Sequence, residues 1–164
     1  MPMQDDEAYM AMALAEARKA YDLGEVPIGA VLVDNESGAV VSAGHNLREM
    51  ELDGTAHAEM EAIRKGCKKL GRWRLSGTTL YVTIEPCAMC AGALVNSRVD
   101  RLVYGSQDLK AGAVHSIFNI VNHKLLNHRM EVTDGIMADQ CRQIMKDFFA
   151  MRRKQNKEKK GRNA

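Results

Sequence analysis

The sequence predicts an α/β fold three layers deep, with helices on both faces of a central five-stranded mixed sheet. Three observations predict it. Short β-branched runs alternate with segments whose apolar residues recur every three or four positions. The first two runs flank a turn signal, so the sheet starts as an antiparallel hairpin. From residue 78 onward the order is strand, helix, strand, helix, which implies parallel pairing. The 164 residues suit a single domain, 1–164, around one core. With 46% hydrophobic and 27% charged residues, the bulk is neither disordered nor fibrous.

Each element has its own signature. Residues 5–23 form an amphipathic helix, with Tyr9, Ala13, Leu14, Ala17, Ala20 and Tyr21 at spacings of three, four and seven, and Gly24 stops it. "VPIGAVLVD" (26–34) and "AVVSAGHN" (39–46) are strands joined by the turn "NESG", which ends on Gly38. A polar loop (47–56) leads to a helix from about His57 to Leu70. "TTLYVTI" (78–84) is apolar enough to be a buried strand. Pro86 suits the first position of the next helix (88–96), because its missing N–H is unneeded there. "RVDRLVYG" (98–105) is the fourth strand, 106–128 a loop with some short helix, and "RMEVT" an edge strand. The last helix starts at about Met137 and runs into a basic end.

Charge is unevenly placed. Residues 146–164 hold eight Lys or Arg against two acids, a net of +6, so the rest of this +2 chain carries −4. Such an end could meet phosphates; on charge alone the readier expectation is a solvated helix fading into a disordered tail. The N-terminus "MPMQDDE" is acidic, unlike an export signal, and no apolar run approaches the roughly 20 residues of a spanning helix. A cytoplasmic address is expected. The four cysteines are then read for metal or catalytic chemistry, not for disulfides.

"PCAMC" carries that chemistry. Cys87 and Cys90 sit three apart on a helix's first turn, sharing a face, where the helix N-terminus favours thiolates. By itself this spacing also fits redox motifs. His57 adds a third donor at a second helix start, and open α/β sheets gather helix starts at the carboxyl ends of strands. In "TAHAEMEAI", His57 and Glu59 are two apart and share no lateral face. Around the end of a helix, however, first-turn side chains fan toward a ligand lying beyond it. His57 can then ligate while Glu59 stays free.

A fourth protein ligand is missing. Cys67 is ten residues from His57, about 15 Å along a helix. Cys141, on the last helix, reads as a small hydrophobe. His45 adjoins Asn46 on a strand, so the two face opposite ways. Three ligands and an open position describe a catalytic site, with Glu59 placed to take a proton from water.

H-x-E with P-C-x-x-C is the signature of the zinc-dependent nucleobase deaminases. Here it reads "HAE" at 57–59 and "PCAMC" at 86–90. The chain resembles the cytidine deaminase superfamily, and within it the bacterial tRNA-specific adenosine deaminase family. The closer likeness rests on "EVPIGAVLV", "GHN", "DGTAHAEMEAIR", "TLYVTIEPCAMCAGA", "VYGSQDLKAGA", "NHRMEV" and "DFFAMRR", which span most of the chain. It implies a cytidine deaminase-like fold, one zinc ion per subunit, a homodimer, and a tRNA anticodon loop as partner. The implied reaction is hydrolytic deamination of the wobble adenosine, in an arginine tRNA, to inosine. His57, Cys87 and Cys90 would bind zinc, and Glu59 would shuttle protons between the attacking water and the base. Asn46 would hydrogen-bond the flipped purine, and Ile28 would wall its pocket. Asp108, Lys110, Phe149, Arg152 and Arg153 match positions near the nucleic acid. Gly54 and His115 depart from the family, which usually has Pro and Gly there. His123 and His128 are read as structural.

Two rivals follow from the same residues. One is a deaminase of free bases or nucleosides, which the metal motif equally allows. The other is a zinc-stabilised RNA-binding module without catalysis, for which a site of only three protein ligands is a poor match.

Overall fold

The computed structural model describes residues 5–163; the first four residues of the acidic N-terminal stretch and the last residue of the basic end lie outside them. Its elements, in chain order, are α1 (Asp6–Asp22), β1 (Gly29–Asp34), β2 (Val40–His45), α2 (Ala58–Leu70), β3 (Thr78–Ile84), α3 (Ala88–Asn96), β4 (Arg101–Ser106), β5 (Glu131–Thr133) and α4 (Ala138–Arg162). The strands form one sheet in the order β2-β1-β3-β4-β5. β1 pairs antiparallel with both β2 and β3, while β3–β4 and β4–β5 are parallel. This is the expected mixed five-stranded sheet.

Two apolar clusters make the layers. On one face, Ala58, Ala62 and Ile63 of α2 and Ala91, Leu94 and Val95 of α3 pack on Ala30, Leu32, Leu80, Val82, Leu102 and Tyr104. On the other, Met10 and Ala13 of α1 and Cys141 of α4 pack on Val31, Val33, Tyr81, Ile84 and Val103. Neighbouring strand residues alternate between clusters because successive side chains point to opposite faces. β3 is buried at all seven positions, as a central strand covered on both sides must be.

Several sequence expectations need correction. β1 starts at Gly29, because Pro27 has no N–H to donate to a ladder and the Ile28 N–H turns back to Val26 C=O at 2.9 Å. β4 starts at Arg101: Arg98 adopts a positive φ of 61°, in a turn that sends the Val99 N–H back to Leu94 C=O. Pro86 is not the first residue of α3 but precedes its cap, Cys87, whose backbone is extended (ψ 176°). The expected short helix in 106–128 is absent; this segment contains turns and irregular backbone. The basic end does not fade: α4 stays helical for 25 residues. α1 does end as expected, with Gly24 just beyond its cap at φ 78°, a conformation glycine enters without steric penalty.

The registers place the chain's chemistry at one end of the sheet. Gly29 pairs with His45, Ala30 with Val82, and Ile84 with Ser106. The approach to β1, the exits of β2, β3 and β4, and the start of α3 therefore share an edge. That edge is where an open α/β sheet holds its ligands.

Candidate active site

His57 and Cys87 occupy equivalent places. Each is the capping residue of its helix, with extended backbone: φ −81°, ψ 157° for His57 and φ −75°, ψ 176° for Cys87. Neither side chain caps its own helix, so imidazole and thiol are both free to point beyond the helix end. Cys90, fully buried in the first turn of α3, completes the group. His57 Nδ1 lies 3.6 Å from Cys87 Sγ and 3.6 Å from Cys90 Sγ, and all three donor atoms fall within 4.8 Å of one another.

These separations test the fit of a metal. Zinc–nitrogen bonds of about 2.0–2.1 Å and zinc–sulfur bonds of about 2.3 Å, set at a tetrahedral angle, put N and S about 3.6 Å apart. The residues fit the ion. Among the described residues this is the one group of three or more His, Cys, Asp and Glu side chains so placed. The geometry also revises the expected placement. His57 is the cap rather than a first-turn residue, so it and Glu59 were never neighbours on a helical surface.

The electrostatics match. Cys87 is pulled down to about 4, mainly by the hydrogen bond from Cys90 and then by that with His57. Cys90 is pushed strongly upward by its bond to Cys87 and by burial. His57 is raised, chiefly by its hydrogen bond with Cys87. Glu59 is 4% exposed, and burial is the largest cause lifting it to about 7, with the Cys87 charge adding to it. A carboxyl near 7 can take and return a proton at neutral pH. The other cysteines stay out of the group: Cys141 is buried against β4 and pushed up to about 12, and Cys67 is raised by burial.

Asn46 and Ile28 arrive at the same edge. The Asn46 N–H donates to Ile28 C=O at 3.1 Å, which ties the two residues together. The Asn46 side chain is buried; its Nδ2 donates to Val26 C=O at 3.3 Å and its Oδ1 accepts from Arg48 N–H at 3.2 Å. His45 turns the other way, its Nδ1 lying 3.1 Å from Glu16 Oε1 of α1. Asp108 and Lys110 follow β4, where Asp108 Oδ1 accepts from the Lys110 and Ala111 N–H groups and shapes the turn.

The residues of α4 do not join this cluster as a group. Phe149 is 42% exposed and meets Phe148 edge-on at 5.4 Å. Arg153 is exposed. Arg152 is half-buried over the Phe148 ring, 5.0 Å from its centroid, and its Nη2 donates to Gly24 C=O at 2.6 Å. Arg152 therefore fastens α4 to the end of α1.

Two buried acids were not singled out from the sequence. Glu85, two residues before Cys87, accepts hydrogen bonds from the N–H groups of Asp108, Val114, His115 and Ser116 and from the Ser116 hydroxyl. Burial opposes its charge, yet these donors hold it down to about 2. Gly112 lies so close that a Cβ there would strike the Glu85 carboxyl. Glu25 likewise accepts from the N–H groups of Glu49 (3.1 Å) and Met50 (2.7 Å), which anchors the loop before His57. The available signal was an acid abutting an apolar strand in each case. His115 is more than a surface exchange, for its Nδ1 is 2.7 Å from the hydroxyl of fully buried Tyr104.

Comparison with known proteins places this chain among deaminases. Residues 4–153 match the MafB19-like deaminase family. A tRNA-specific adenosine deaminase of Bacillus subtilis is 49% identical over 94% of this chain and 95% of its own. A solved structure from work on A-to-I editing by tRNA deaminases at the wobble position of transfer RNA is 44% identical, with a TM-score of 0.79, covering 84% of this chain and 98% of its own. A guanine deaminase from Nitrosomonas europaea is more distant, 25% identical at a TM-score of 0.78 over 88% of this chain and 84% of its own.

Proposed function

The chain belongs to the MafB19-like deaminases, among relatives that are tRNA-specific adenosine deaminases, and from that premise we propose that it hydrolyses adenosine to inosine at the wobble position of a tRNA anticodon. The observation that carries the reading is the His57–Cys87–Cys90 group with Glu59 buried beside it and not among its donors. His57, Cys87 and Cys90 would hold zinc, which when bound supplies the Lewis acidity that makes water a nucleophile near neutral pH. With only three protein donors, the bound ion would have room for that water.

Glu59 removes a proton from the attacking water and delivers one to N1 of the adenine as C6 is attacked. It then takes the remaining proton from the C6 hydroxyl and passes it to the amino group, which leaves as ammonia as the C6 carbonyl forms, so one carboxyl serves as base and acid in turn. Asn46 would read the base that leaves its stack, using the side chain that now bonds Val26 and Arg48. Ile28 would line the pocket beside it. An anticodon-loop nucleotide is already unpaired, so only a small unstacking cost attends its entry. Asp108, Lys110, Phe149, Arg152 and Arg153 are proposed contacts for the surrounding RNA. A homodimer, which the family resemblance implies, and the cytoplasmic address expected from the sequence complete the proposal. No described helix is long and apolar enough to cross a membrane.

The test is to incubate the purified protein with an arginine tRNA, guanine and free adenosine in parallel, and to sequence the RNA for inosine. Inosine at the wobble position supports the proposal. Ammonia release from guanine or adenosine with no change in the RNA overturns it in favour of a small-molecule deaminase. Glu59→Ala should retain the metal and lose roughly 10²–10⁴-fold in rate; near-normal turnover would remove Glu59 from its role.

A further inference from the structure

The family match ends at Arg153, yet α4 continues as a helix to Arg162. Along α4, Lys146, Phe149, Arg153, Lys157 and Lys160 follow one another at steps of three, four, four and three. At 3.6 residues per turn they share one face, spanning about 21 Å from Lys146 to Lys160. All five are exposed. The opposite face holds Cys141, Ile144 and Phe148, packed on the body. Of the acids nearby, Asp139 shares this face two turns before Lys146, where Arg142 pairs with it at 3.0 Å; Asp147 follows Lys146, about 100° round the helix, and accepts from Gln143 Nε2 at 2.8 Å. Glu158 sits equally far round from Lys157.

We propose that this stripe is a phosphate-binding rail that holds the stem of the substrate RNA while the loop nucleotide occupies the active site. The inference rests on the proposed tRNA substrate. Charge complementarity selects a polyanion, and the composition of the arm selects RNA over a lipid surface. From Lys154 to Arg162 the helix has no apolar residue to enter a bilayer, and its only apolar stripe, nearer the N-terminus, is already buried. The arm also leaves the body in the right place. Arg152 pins it to Gly24, four residues before Ile28 and next to Glu25, which anchors the loop leading to His57. One exposed phenyl ring among the cations, Phe149, offers a stacking surface of the kind used on unpaired bases.

The rail is tested on the full-length protein with Lys146→Ala, Lys157→Ala and Lys160→Ala combined. Alanine is the strongest helix former, so α4 should persist, as circular dichroism will report. Binding is measured against salt for an anticodon stem-loop and for a loop-only oligonucleotide. For the stem-loop, the slope of log Kd against log salt should fall by roughly 2–3, about 0.7–0.9 per lost phosphate contact. Loop-only binding and kcat on saturating stem-loop should not change. An unchanged stem-loop slope overturns the rail, as does an equal loss with the loop-only oligonucleotide. Loss of binding to anionic vesicles with RNA binding intact also overturns it. The two readings fail separately: unmodified protein that makes no inosine defeats the proposed function, whereas inosine with an unaltered slope defeats only the rail.

Discussion

At the scale of single residues, the site depends on side chains that are buried and charged for opposite reasons. Glu59 has lost water, and burial with the Cys87 charge outweighs the hydrogen bonds from its own backbone N–H and from Cys90, so it sits near 7. Glu85 has lost water and gained five hydrogen bonds, so it stays ionised down to about 2. The first arrangement suits a proton carrier and the second a structural anchor. Glu85→Ala would leave four backbone N–H groups and one hydroxyl without their acceptor. It should cost about 2–4 kcal/mol in urea unfolding, since hydrogen bonds to charged groups contribute about 1.5–3 kcal/mol each and water recovers part of the loss. It should also disorder the 108–116 segment in hydrogen exchange. A loss below 0.5 kcal/mol would remove Glu85 as the anchor.

At the scale of elements, the decisive devices are the entries to α2 and α3. Both helices begin on an extended residue whose side chain is spared from capping, and that exposes imidazole and thiolate beyond the helix ends. The turn that feeds α2 contains Gly54. The Ala56 N–H bonds Asp53 C=O at 3.1 Å, which makes Gly54 the second residue of a four-residue turn. Nothing lies within 4 Å of a Cβ placed there, and its φ is not positive. Proline favours that turn position, as the family pattern has it. Gly54→Pro should therefore stabilise the protein by about 0.4–1 kcal/mol, chiefly by restricting the unfolded chain, and raise Tm with activity preserved. A lower Tm would show that the turn needs a φ that proline cannot adopt.

At the scale of the molecule, the two ends of the sheet are chemically different. The ligand edge gathers the His57–Cys87–Cys90 group, and the arm beyond it is basic. At the opposite end, a cavity of about 560 Å³ is lined by Asp5, Asp34, Glu36, Asp100 and Glu131, with Arg101 inside it. A polyanion would be repelled from that end and drawn to the other. Arg101 is engaged: it donates to both oxygens of Asp6, at 3.0 and 2.8 Å, and Tyr81 donates to Asp6 at 2.7 Å. Burial raises Asp6, but the bonds from Arg101 and Tyr81 outweigh it and hold the carboxyl below its usual value. A depressed carboxyl adds stability that is present above its unfolded value near 3.8 and is lost as pH falls through its lower folded value. Asp6→Asn should thus cost about 2–3 kcal/mol at pH 7 and progressively less as pH falls below the unfolded value, seen as urea midpoints that converge on acidification. A constant difference from pH 7 to pH 3 would contradict the linkage.

The sequence by itself determined the strand and helix order, the mixed sheet, the His57–Cys87–Cys90 set and the free Glu59. Those follow from local periodicity and from spacings that only a few chemistries use. It misplaced what long-range packing sets. Pro86 and His57 read as helix starts because caps differ from first-turn residues by one torsion, and the flanking packing chooses it. The basic end read as a fading tail because charge alone does not report that Arg152 and Phe148 fasten the helix above it to Gly24 and Tyr21. Glu85 and Glu25 were silent because their partners lie more than 20 residues away. Only the tertiary structure could bring Ile28, Asn46, Cys87 and Asp108 to one edge, since that convergence is fixed by strand register, a property no local stretch of sequence carries.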